Sequence, residues 1–140
     1  MKKITMLCVA TLTILAIASC IRWEKVKLSN QPFCKAQIVK AEIQFRIDSC
    51  IGSVTICKGW TEPEPYDFQP LVDYLCHCSV LQEPMKFGPS IWVRLYDINN
   101  NKYSLGFSRG SGALKKEGLT YRLSEEDACE IKKLLKRSQQ

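Results

Sequence analysis

The 140-residue sequence predicts an α+β fold, in which an antiparallel sheet of about five strands has two helices packed on one face. Three observations predict this class. Several short segments alternate apolar and polar residues, which is typical of half-buried strands. Residues typical of turns recur at short intervals between these segments, so neighbouring strands are expected to pair as antiparallel hairpins. Two other segments carry apolar residues at helical spacing.

The first predicted hairpin begins with an alternating segment. Apolar residues at every second position from Ala41 to Ile47 indicate a strand with one buried face. A turn at residues 49–53 leads to the β-branched run from Val54 to Ile56, which we interpret as the returning strand. If Ile47 lies opposite Ile56, both side chains point into the same core.

A helix and a second hairpin follow along the chain. Asp67 is expected to cap a helix that runs to about Leu81, with Pro70 in its first turn. Alternating residues then return on both sides of the Asn99–Asn101 tip. Because asparagine tolerates a positive φ, this pattern predicts two strands joined by a tight turn.

The last predicted elements are one more strand and a helix. Leu119 to Leu123 indicates the strand, and the stretch from Ser124 to Asp127 matches a capping box that opens the helix. The apolar stripe of this helix consists of Ala128, Ile131, Leu134 and Leu135. The element order is therefore ββ–α–ββ–β–α, within a single domain over residues 34–140.

The N-terminal residues have the layout of an export signal. Two lysines precede an uncharged segment over residues 4–19, which is shorter than the about 20 residues that span a membrane. The segment ends in Ile17-Ala18-Ser19-Cys20, which resembles the lipobox of bacterial lipoproteins. The resemblance implies that a signal peptide of residues 1–19 is removed and that Cys20 is lipidated and acylated. Residues 20–33 are then expected to form the lipidated cysteine and a tether.

The same resemblance implies a location in the cell envelope. A lipid at Cys20 would anchor the domain to a membrane, facing the periplasm or the exterior. Ile21 follows the cysteine where an aspartate would signal retention, which favours the outer membrane in cells that have one. Two alternatives stay open, an ordinary cleaved signal peptide and an uncleaved anchor, and both put the domain outside the cytoplasm.

Charge and composition exclude several classes of function. The net charge of +6 (20 basic minus 14 acidic residues) falls to +4 (18 minus 14) once residues 1–19 are removed. With no basic stripe, a charge of this size excludes a nucleic-acid partner. His77 is the only histidine, which excludes metal sites built from several histidines. We therefore expect no cofactor and no nucleic acid.

The cysteines predict a disulfide-stabilised domain. Of the eight, Cys8 leaves with the signal and Cys20 takes the lipid, so six remain. An even number in an exported domain is typical of a disulfide framework, although six cysteines allow fifteen connectivities. Cys129 lies off the apolar stripe, and Cys34 is one candidate partner for it. The six candidates are Cys34, Cys50, Cys57, Cys76, Cys78 and Cys129, and fewer than two reactive thiols are expected.

The segment Cys76-His77-Cys78 offers three soft ligands in a row, as copper or zinc sites do. In a helix, however, residues two apart point about 200° away from each other, so the two thiols would not meet at one ion. Adjacent helical residues cannot form the thiolate–imidazole hydrogen bond of a cysteine enzyme either. We therefore interpret these residues as structural, with a metal or thiol site as the alternative.

A glycine-rich, basic segment runs from Gly106 to Lys116. Such a loop can expose backbone N–H groups to an anion, although the spacing is not that of a P-loop. Arg109, Lys115 and Lys116 are candidate contacts for a partner. The alternative is a mobile connection between strands.

These observations together predict a small, membrane-anchored envelope lipoprotein. Its predicted function is that of a non-catalytic binding, accessory or inhibitor-type module with a protein partner. The alternative is an envelope metal- or thiol-handling protein, or a small enzyme, centred on Cys76, His77 and Cys78.

Overall fold

A computed structural model describes residues 24–137 of the chain. These residues form nine strands in one large antiparallel sheet and three helices. The strands are β1 (Glu24–Lys27), β2 (Ile38–Ile51), β3 (Val54–Trp60), β4 (Glu64–Pro65), β5 (Ser79–Gln82), β6 (Ile91–Asp97), β7 (Lys102–Phe107), β8 (Ala113–Lys116) and β9 (Leu119–Arg122). The helices are α1 (Pro32–Lys35), α2 (Gln69–Leu75) and α3 (Glu125–Arg137), with a 3₁₀ turn at Leu28–Asn30. The signal peptide and Cys20 lie outside the described residues.

The sheet has the strand order β1-β5-β9-β8-β7-β6-β2-β3, and β4 pairs with β2. The strands β1 and β3 therefore form its two opposite edges. A mixed helix and sheet architecture with antiparallel pairing is confirmed, but the prediction of about five strands is wrong. The additional strands are short, with two to four residues each, and so few residues cannot display a period of two.

Two of the predicted segments belong to other elements. Residues 24–33, expected as part of a tether, contain β1, which pairs with β5, and the fully buried side chains of Leu28 and Phe33. The helix expected from Asp67 to Leu81 begins at Gln69 and already ends at Leu75. It ends early because residues 79–82 pair with β1 on one side and β9 on the other.

The core joins the inward side chains of the central strands to the helices. In the described chain, one cluster of buried residues includes Ile43 of β2, Leu95 of β6, Leu75 of α2 and Ile131 of α3. Each such side chain contributes about 1.5–3 kcal/mol on burial. The predicted capping of α3 is confirmed, because the Asp127 N–H donates to Ser124 Oγ at 3.1 Å. No helix in residues 24–137 is long and apolar enough to cross a membrane.

The β6–β7 hairpin is held by the carboxylate of Asp97. This buried side chain accepts hydrogen bonds from the Asn99 N–H at 2.9 Å, the Asn101 N–H at 2.8 Å and the Tyr103 hydroxyl at 3.0 Å. Asn100 takes the positive φ of 64° that the tip requires. Burial alone would raise the pKa of Asp97, but the hydrogen bonds outweigh it and lower the pKa below its ordinary value. The predicted asparagine turn is confirmed.

We expect Asp97→Asn to lower the melting temperature at pH 7, because the amide replaces an oxygen acceptor with a donor. The stabilisation by the ionised carboxylate is complete above its unfolded-state pKa and is lost as pH falls through the lowered folded-state pKa. The difference in Tm between wild type and variant should therefore shrink at about pH 3, measured by circular dichroism. Asp67→Asn, at an exposed position, is the control, and a difference that grows on acidification would contradict the argument.

Candidate interaction surfaces

The β2–β3 hairpin extends beyond the body of the sheet. The strand β6 pairs with β2 only as far as Phe45, whereas β3 pairs with β2 from Arg46 to Ile51. Residues 47–59, here called the arm, therefore form a two-stranded ribbon without a third strand among the described residues. A ribbon of two strands is marginally stable alone in water, so what covers its faces matters.

One face of the arm is aliphatic and open to solvent. Ser49 lies opposite Ile56 and Ile51 opposite Val54, and alternation along β2 puts Ile47 on the same side. The four large side chains of this apolar face are 45–66% exposed: Ile47, Ile51, Val54 and Ile56. Alternation also puts the buried Ala41 and Ile43 on this side of β2, so the apolar face continues the core side of the sheet into solvent.

The other face of the arm carries Asp48, Cys50, Thr55 and Cys57. Asp48 is opposite Cys57, and Cys50 is opposite Thr55. Both thiols are free and exposed. Arg46 at the base donates to Asp48 at 2.7 Å, so the charge on this face is paired. The arm is therefore an amphipathic ribbon, and no cross-strand pair on its aliphatic side contains a charged residue.

Ile47 does not lie opposite Ile56. Ile47 lies opposite Gly59, because the register shifts after Ile47 and leaves Lys58 as an extra residue on β3. The two isoleucines are on the same face, as predicted, but both are 45% exposed instead of buried. The alternating pattern identified the face correctly and did not reveal that the helices end short of it.

A cleft of about 200 Å³ opens at the base of the arm. Its apolar lining residues, here called the floor, are Phe45, Ile91 and Leu135. The turn that follows β7 and the last turns of α3 form the walls. We call this the basic cleft, since its charged lining residues are Arg109, Lys132 and Lys136.

The three basic residues predicted as partner contacts are separated by the fold. Arg109 is exposed on the turn and lines the basic cleft. Lys115 lies on β8 and lines a different depression. Lys116 is only 3% exposed, so it presents little surface to a partner. Its ammonium group donates to Gln31 at 3.0 Å and lies 3.5 Å from the Glu117 carboxylate.

The glycine-rich segment is a short turn followed by a strand. The Ser111 N–H donates to the Ser108 carbonyl, and the Ala113 N–H donates to Ser108 Oγ at 2.9 Å. The chain then enters β8, whose residues pair with both β7 and β9. Of the three predicted residues only Arg109 belongs to this turn, where it lines the basic cleft. Lys132 and Lys136 were not expected there, although their spacing of four puts them on one side of a helix.

The three residues of the segment Cys76-His77-Cys78 lie in different environments and make different interactions. Cys76 forms a disulfide with Cys34, so it holds no thiolate for a metal ion. Cys78 is buried and donates to the Tyr74 carbonyl at 3.3 Å. The Nδ1 atom of exposed His77 lies 2.5 Å from the Asp73 carbonyl oxygen. No group of three or more metal-binding side chains occurs within residues 24–137.

The prediction of a disulfide among these cysteines is confirmed, but the pairing and the number of free thiols differ from the expected ones. Cys34 pairs with Cys76, so the suggested pairing of Cys34 with Cys129 is wrong. Among the described residues four cysteines are free, where fewer than two were expected. Burial and the nearby carboxylate of Asp127 raise the pKa of the Cys78 thiol to about 11, which keeps this thiol protonated and inert at neutral pH.

Alkylation at about pH 8 should divide the cysteines into three groups. We expect fast labelling of the exposed Cys50, Cys57 and Cys129, labelling of Cys78 only after unfolding, and none of the disulfide pair without reductant. Peptide mapping by mass spectrometry before and after denaturation measures this. Fast labelling of Cys78 in the native protein, or a linked Cys34–Cys129 peptide, would be the contrary result.

The chain was compared with protein-family models, with curated protein sequences and with solved structures. None of the three comparisons found a match. The contacts, burial and charge of residues 24–137 are therefore the basis for assigning a function.

Proposed function

We propose that this protein is a lipid-anchored, non-catalytic binding or accessory module of the bacterial cell envelope, and that a protein partner covers the apolar face of its arm. The observation that carries the proposal is the exposure of four large aliphatic side chains on one side of an unsupported ribbon. Contiguous apolar patches of a few hundred Å² on a monomer are often functional sites. A partner that covers this patch would remove its apolar surface from water, which favours association.

The chemistry of the face indicates the kind of partner. No cross-strand pair of the apolar face contains a charged residue, and the polar side chain within these pairs is Ser49. A charged surface would lose hydration there without gaining an ion pair. We therefore expect the partner to present an uncharged, apolar surface, with an interface core that resembles a protein interior.

The position of the arm favours a protein over the anchoring membrane. In the sequence, three residues separate the proposed lipid site Cys20 from Glu24, the first residue of β1. The strands β1 and β3 are seven steps apart in the sheet, a path of roughly 34 Å at about 4.8 Å per step. An anchor next to β1 would therefore lie at the opposite edge of the sheet from the arm. The arm would then be available to a protein partner in the aqueous space.

The non-catalytic part of the proposal is supported by the positions of the residues that the sequence offered for chemistry. Cys76 is half of a disulfide, the thiol of Cys78 is buried and His77 lies against a backbone carbonyl. A nucleophile and a base within hydrogen-bonding reach, which covalent catalysis requires, are not found among these three residues. Binding is therefore the function that the described residues support best.

The anchor is tested by substitution of the lipid site. In cells fed a labelled fatty acid, the wild-type protein should take up label and fractionate with membranes, and Cys20→Ala should do neither, because the acyl chains need the thiol. Cys8→Ala, within the signal, is the matched control and should keep the label. Equal labelling of Cys20→Ala and wild type would refute the lipoprotein assignment.

The arm is tested by cross-linking from its two faces. A photoreactive residue at Ser49, on the apolar face, should give a discrete adduct with one envelope protein, and the same residue at Thr55, on the other face, should not. With that partner purified, Ile51→Thr/Ile56→Thr should weaken binding at least tenfold, which corresponds to about 1.4 kcal/mol. The control Cys50→Ser/Cys57→Ser, on the opposite face, should bind normally. Unchanged affinity of the threonine variant, or adducts with lipid alone, would contradict the proposal.

A further inference from the structure

We propose that the basic cleft binds a carboxylate carried on a small aliphatic group, such as the C-terminal residue of a peptide or a free short-chain carboxylic acid. The site is separate from the apolar face of the arm, and the proposal does not depend on the partner proposed for that face. It rests on three properties of the cleft: unpaired positive charge, serine hydroxyl groups in the lining, and an apolar floor of limited size.

The first property is the charge. Three cations, Arg109, Lys132 and Lys136, line the cleft, and none of its lining residues is acidic. Five other basic residues in the described chain are paired with carboxylates: Lys40, Arg46, Lys116, Arg122 and Lys133. Within residues 24–137 the three cleft cations have no such carboxylate partner. An anion that enters the cleft therefore meets positive charge that no carboxylate neutralises. A guanidinium can hold both oxygens of a carboxylate at once.

The second property is the hydroxyl of Ser111. This residue is 2% exposed and lines the cleft. Its backbone has a φ of 61°, a conformation that serine rarely adopts and that persists where the surroundings fix it. Nearby, Ser108 Oγ accepts the Ala113 N–H and keeps its own proton to donate. Two hydroxyl donors thus accompany the three cations.

The third property is the floor. The floor is apolar because it consists of Phe45, Ile91 and Leu135. It can accommodate a hydrocarbon group, whereas an inorganic anion in contact with it would lose hydration without gaining hydrogen bonds. The volume of about 200 Å³ equals roughly seven water-sized groups. A carboxylate with three or four aliphatic carbons has this size, whereas a nucleotide or a sugar phosphate is too large.

The experiment titrates the full-length lipidated protein, held in detergent, with matched probes by calorimetry. The probes are N-acetylvaline, its carboxamide, isovalerate and inorganic phosphate. We expect N-acetylvaline or isovalerate to bind and the carboxamide to bind at least tenfold more weakly, since it lacks the charge. Tighter binding of N-acetylvaline identifies a peptide C-terminus as the ligand, and tighter binding of isovalerate identifies a free acid.

Two variants separate binding from folding. Arg109→Ala should weaken carboxylate binding at least tenfold, while Lys102→Ala, at an exposed lysine outside the cleft, should not change it. Ser111→Gly relieves the positive φ, so it should keep or raise Tm and yet weaken binding several-fold through loss of the hydroxyl. Absence of carboxylate binding at about 10 mM, equal binding of acid and carboxamide, stronger binding of phosphate, or full affinity in Arg109→Ala would each overturn the proposal.

Discussion

The difference in length between two neighbouring strands governs the layout of this protein. The strand β2 has fourteen residues and β6 has seven, so β6 can support only the first half of β2. The pairing ends where Phe45 faces Ile91, and at that point the sheet stops and the arm begins. Because the alternation of side chains continues unbroken along β2, the core side of the sheet runs directly into the exposed apolar face. The basic cleft opens at the same place, with both Phe45 and Ile91 in its floor.

The opposite edge of the sheet is held by contacts between distant parts of the chain. The Cys34–Cys76 bond joins α1 to the end of α2 across 42 residues, a loop for which a disulfide contributes about 4 kcal/mol in the chain-entropy account. The Leu28 N–H donates to the Cys78 carbonyl at 3.1 Å, and Lys116 reaches Gln31 from β8. The segment nearest to the proposed anchor is thus fixed to the domain, so an anchor there would set the orientation of the whole sheet.

Sequence reasoning succeeded where the signal was local. The Asn99–Asn101 tip and the cap of α3 are specified by residues within one turn of each other, and both formed as predicted. It failed where pairing joins distant segments, as in β1 with β5. The predicted helix runs on to about Leu81, but pairing on both sides makes Ser79–Gln82 a strand. For the cleft, the sequence identified Arg109, and only the fold brings it beside Lys132 and Lys136.

The irregular shape of β3 indicates that a partner packs on the apolar face of the arm and does not pair with the outer edge of β3. An unpaired edge strand invites another strand to pair with it, yet β3 carries a bulge at Lys58 followed by Gly59 with a φ of 142°. A bulge increases the local twist and interrupts the regular row of hydrogen-bonding groups, and a lysine at that point adds a charge that disfavours pairing. Along β2, alternation keeps Ile47, Ser49 and Ile51 on one side across the register shift. A partner that packs on this face does not have to pair with the edge of β3, and it meets Phe45 at the base, a residue that also lines the basic cleft.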